Sequence, residues 1–166
     1  MDLDDVSGMP EWEDDRFRMQ DADSGETWKQ DAKYAKAARL YNQWKSVLLL
    51  LLGLYDSLQE DEALPDKDFI ESEKAAMLED AYLVGAKIRG AEGGDQYVLR
   101  MENAAMIRKS AQTVYIHVSS LAVLGLAEEA HIEAVRAEIE KFRAYFKDWV
   151  ASFERDEFED EWGLFL

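Results

Sequence analysis

The stretch "WKSVLLLLLGLYDSL", Trp44 to Leu58, sets five consecutive leucines inside a heavily charged chain. It is too short for a membrane: the purely apolar run from Val47 to Leu52 is six residues, and a spanning helix needs about 20. Read at helical period, it belongs to a longer pattern. Tyr34, Ala37, Tyr41, Trp44, Leu48, Leu51, Tyr55 and Leu58 recur at alternating steps of three and four, which puts them on one face of a long helix. The leucine run is thereby divided. Leu48 and Leu51 face a core, whereas Leu49 and Leu50 point away from it, beside a row of small residues, Ser46, Gly53 and Ser57. An apolar strip with small residues lets another helix approach closely and calls for a cover. Ser46, Leu49, Leu50, Gly53 and Ser57 are therefore the expected interface. A homodimer is the expected use of it, because two-fold self-packing is the commonest oligomeric arrangement; a different protein or one of the chain's own tails would serve the same need.

Working outward, "LPDKDFIESE" ends one helix at Pro65 and starts the next, with Asp68 as N-cap and Glu71 completing a capping box. The second seam is Ile70, Met77, Ala81, Val84 and Ile88, with Lys74 interrupting it. The glycines of "RGAEGGDQ" stop that helix, and Asp95 is placed to cap the third. Tyr97, Met101, Ala104, Ile107, Ala111, Val114, Val118 and Leu121 form the third seam, which Gly125 ends. Ile132, Val135, Ile139, Phe142, Phe146, Trp149 and Phe153 form the fourth. Helices near 28–60, 67–90, 95–124 and 128–155 with short loops predict an all-α, up-down-up-down four-helix bundle. The bundle takes 28–155, between an acidic segment at 1–27, extended or disordered, and an acidic-aromatic segment at 156–166.

At 166 residues and 48% apolar, the chain can bury one sizeable core. It has no cysteine, which rules out disulfides and thiolate chemistry and fits a reducing compartment. With no apolar leader after the acidic "MDLDDVSGMPEWEDD", the expected location is the cytoplasm, away from membranes. The net charge of −17 is concentrated at the ends. Residues 1–31 hold eleven acids against three bases, and residues 154–166 hold six against one. Both ends carry aromatics, Trp12 and Phe17 in the first, Phe158, Trp162 and Phe165 in the second. Such segments suit a basic-rimmed apolar groove, the chain's own or a partner's. Lys29, Lys33, Lys36 and Arg39 make a basic stripe along the first helix, either a solvated face or a seat for the acidic N-terminal segment. The overall charge repels nucleic acid. Mimicry of DNA would need the carboxylates on an ordered face, and most of them are in the tails.

Carboxylate and Glu-x-x-His ligands build the dinuclear sites of many bundles. Here the first helix has no acid from Ala32 to Tyr55, and there are two histidines in all. One end of an up-down bundle would still gather Asp56, Glu73, His117, Glu128 and His131, a set that could hold a single metal ion. Glycine-rich phosphate loops are absent. The expected function is a non-catalytic bundle acting through protein–protein contact, by self-association or regulatory partner binding, without a cofactor. The alternative is a metal-binding or enzymatic bundle using that end cluster.

Overall fold

From Thr27 no glycine or proline intervenes until Gly53, and the first helix, α1, runs Thr27–Glu60. It is followed by α2 (Lys67–Ala91), α3 (Tyr97–Val123) and α4 (Glu129–Val150). The computed structural model describes residues 7–13, 27–63 and 66–165. Phe17 and Pro65 lie outside them. Among the described residues there is no strand, and no helix is long and apolar enough to cross a membrane. The four helices pack as a ring: α1 on α2, α2 on α3, α3 on α4, and α4 back on α1.

The α1 seam is buried along its whole length, joined by Leu40, Val47 and Leu54. Trp44 is at its centre. Its ring lies 4.6 Å from that of Phe142 on α4, and its Nε1 donates to the Ala81 carbonyl of α2 at 2.7 Å. One side chain thus ties three helices, with its polar atom satisfied where water cannot reach. Lys74, which interrupts the α2 seam, reaches outward to Asp56 at 2.6 Å.

The helix ends depart from the sequence expectation in three places. Asp66, not Asp68, caps α2, accepting the Phe69 N–H at 2.9 Å, and Asp68 lies in the first turn. Asp95 does not cap α3, because its carboxylate pairs with Lys33 and lies 3.9 Å from Arg100. The cap comes from far along the chain: Asp156 accepts the Tyr97 N–H at 2.7 Å. Helix α4 stops at Val150 rather than near 155. Ser152 and Phe153 close tighter, three-residue turns, and Phe153 folds back edge-on against Trp149, centroids 4.7 Å apart.

Residues 7–13 lie across α1 and α2. Gly8 takes the left-handed conformation at φ +65°, open to glycine without strain. This turns Met9 into the core, against Gly85, where a β-carbon would come within 2.7 Å of the Met9 methyl. Tyr82 donates to the Ser7 carbonyl at 3.2 Å and Tyr41 to the Pro10 carbonyl at 2.6 Å.

Candidate functional site

The seam between α3 and α4 is where side-chain size leaves space. Ala111 on α3 is small, and Ile139, Phe142 and Phe146 on α4 do not fill the gap it leaves, so a groove of about 440 Å³ opens to solvent. Tyr115 and Ile116 form its α3 wall, with Ile116 exposed. Two arginines stand at its edge. Arg143 pairs with Glu140 one turn back, whereas Arg108 has no carboxylate partner among the described residues. A third guanidinium, Arg136, stacks 5.7 Å from the Tyr115 ring. Arg136 pairs with Glu133 and Glu140 lines the groove beside Arg143, so Arg108 gives this aromatic floor its net positive margin in a chain of net charge −17. It can take up apolar side chains flanked by carboxylates.

The predicted tail residues are placed differently from one another. Trp12 is half-buried, its ring 5.2 Å from Tyr41, while Glu11 beside it pairs with Lys45 at 2.6 Å. Phe158 and Trp162 are 59% and 89% exposed, and Phe165 is half-buried. Among the described residues, none of the C-terminal segment lines the α3–α4 groove. The basic stripe of α1 is met by neighbouring elements: Lys36 and Arg39 pair with Asp148 on α4 at 2.9 and 2.7 Å, and Lys33 with Asp95.

On the outer face of α1, Ser46, Gly53 and Ser57 are exposed and Leu50 is 39% exposed. Leu49 is half-buried, less outward than its helical angle suggested, because the start of α4 lies alongside. Leu49, Leu50 and Gly53 share with His131 and Ala134 a shallow depression of about 230 Å³.

The five candidate metal ligands do not converge. Glu73 Oε2 hydrogen-bonds His117 Nδ1 at 3.0 Å, and Asp56 pairs with Lys74. Glu128 is the exposed N-cap of α4 and His131 faces the α1 depression. Among the described residues no three His, Cys, Asp or Glu side chains could hold a metal ion. Helical register sets where each residue lies along its own helix, not which neighbour its side chain meets. Near the Glu73–His117 pair the Tyr55 hydroxyl is buried with no hydrogen-bond partner among the described residues. Burial, reinforced by the charge of Glu73, pushes its pKa well above the ordinary tyrosine value. Tyr55→Phe, which removes an unsatisfied polar group and keeps the ring, raises stability by about 1 kcal/mol, read as a higher urea midpoint.

One polar group went unread in the sequence. At the other end of α2, Glu92 is buried, and its Oε1 accepts from Arg100 Nη2 at 2.8 Å and from Trp149 Nε1 at 3.0 Å. Arg100 is buried too, its guanidinium 4.2 Å from the Phe153 ring centre. Burial raises the Glu92 pKa, against the opposing pull of Arg100 and the Trp149 hydrogen bond, and burial lowers that of Arg100. Among the described residues, Glu92 Oε2 and Arg100 Nε have no hydrogen-bond partner. The only sequence signal was a Glu–Arg spacing of eight across a glycine-rich turn, which periodicity reads as surface. No protein-family model matches this chain, nor does any curated protein or solved structure.

Proposed function

We propose that the chain is a non-catalytic, up-down-up-down helical bundle that acts by binding protein. Its docking site is the α3–α4 groove, and its ligand is an extended or turn segment that carries aromatic side chains among acidic ones. The observation that supports this most directly is the open aromatic floor edged by Arg108 and Arg143 in an otherwise acidic molecule. Aromatic anchors in a pocket supply most of the binding energy in such contacts, and charges at the edge set orientation and on-rate. The ring packing of consecutive helices supports the antiparallel order. A second reading, self-association through Ser46, Leu49, Leu50, Gly53 and Ser57, is favoured by the shallow apolar depression beside Gly53.

Selection of binders from a displayed library of acidic, aromatic-bearing peptides tests the groove. Enriched peptides bind the wild type, and Arg108→Glu with Arg143→Glu weakens them by about tenfold or more. Added salt lowers their association rate. Binders indifferent to both arginines, or no enrichment, would overturn the reading.

A further inference from the structure

We infer that the occupant of the α3–α4 groove is the C-terminal segment of a second copy of this chain, residues 157–165; this rests on the reading of the groove as a peptide-docking site. The segment has the matching chemistry. Glu157, Glu159, Asp160 and Glu161 surround Phe158 and Trp162, and Leu164 is 72% exposed. It is also a built turn. The Asp160 carboxylate accepts the N–H groups of Trp162, Leu164 and Phe165 at 3.0, 2.6 and 3.1 Å, and Gly163 supplies the left-handed residue at φ +68°. That turn holds Trp162 and Leu164 out in solvent, and a segment already ordered loses less entropy on docking.

The geometry favours a second copy over the same one. Asp156 pins the segment to Tyr97, at the start of α3. Arg108 stands eleven residues further on, about 16 Å along the helix. The six residues from 157 to 162 cover about 20 Å at most when fully extended. To reach its own groove the segment would have to give up the Asp160 turn. A second copy brings the turn intact, and the two segments can exchange reciprocally about a two-fold axis.

Sedimentation across the micromolar range tests this, using the full chain and three variants at exposed positions, Trp162→Ala, Arg108→Glu and Leu50→Asp. The wild type self-associates. Trp162→Ala weakens association by about thirtyfold, as for a central aromatic anchor, and Arg108→Glu weakens it by about tenfold. Leu50→Asp changes nothing. A wild type that stays monomeric, or association lost in Leu50→Asp but kept in Trp162→Ala, overturns the inference. So does a monomer whose Trp162 emission shows burial that Arg108→Glu abolishes, the mark of docking within one copy. If the chain is monomeric while selected peptides still bind through Arg108, the second-copy occupant falls and the groove remains a peptide site.

Discussion

Arg100→Met is expected to lower the unfolding free energy at neutral pH by about 3–5 kcal/mol, measured by urea titration. The substitution keeps most of the apolar stem against Phe153 but leaves the buried Glu92 carboxylate with only the Trp149 N–H. An uncompensated buried charge is among the costliest defects a point change can create, and folded domains have only about 5–15 kcal/mol in hand. The native pair is itself incompletely satisfied, at Glu92 Oε2 and Arg100 Nε. Replacing both partners, Glu92→Met with Arg100→Met, therefore recovers most of the loss. The pH dependence separates this from a packing defect. Burial holds the native Glu92 pKa above the unfolded value, so the folded state binds this proton more tightly. Its contribution to stability is full below the ordinary glutamate range and falls as pH rises from there through the raised native value. Without Arg100 that window extends upward. The deficit of Arg100→Met is then smaller at about pH 5 than at about pH 8, whereas a deficit constant with pH would show that the guanidinium matters only as bulk.

Trp44→Ala is expected to cost about 3–5 kcal/mol by the same measurement. The cavity opens at a point where α1, α2 and α4 share a side chain, and the facing ring of Phe142 loses a neighbour. Trp44→Phe separates the two parts of the loss. It keeps a ring against Phe142 and removes the hydrogen bond to Ala81 with part of the indole volume, for about 1–2 kcal/mol. Equal losses for the two variants would show that the ring kept against Phe142 contributes nothing to packing.

The inward faces of the helices were legible because burial follows angular position, and angular position follows from residue spacing alone. Trp44, Leu48 and Leu51 needed nothing else. Helix termini were less legible, because their caps come from groups close in space but distant along the chain. Asp95 looks like the cap of α3 until Lys33 and Arg100 claim it and Asp156 takes its place. Periodicity also says which way a residue faces but not how far apart two helices stand. The gap beside Ala111 therefore emerges only when Phe142 and Phe146 are seen not to fill it. The acidic-aromatic character of the tail and the idea of a basic-edged groove were readable from composition; the groove's address was not. Arg100 was hidden for a different reason. A charged residue in a first turn reads as solvated unless a distant Trp149 and Phe153 are known to close over it.

The placement of residues 7–13 has a consequence for the order of events during synthesis. These residues leave the ribosome ahead of α1 and α2, yet the surface that receives them includes Tyr82 and Gly85 and is complete only once α2 has been made. At ordinary elongation rates that is a wait of about 4–15 s. Meanwhile Met9 lacks the Gly85 surface that buries it, and the α1 seam at Trp44 lacks Phe142, its cover on α4. The nascent chain thus carries the apolar seam of its 34-residue first helix uncovered until α2 and α4 follow. The acids between Asp2 and Glu26, made before that helix, give the emerging segment a net negative charge that opposes association with a like-charged neighbour during that interval.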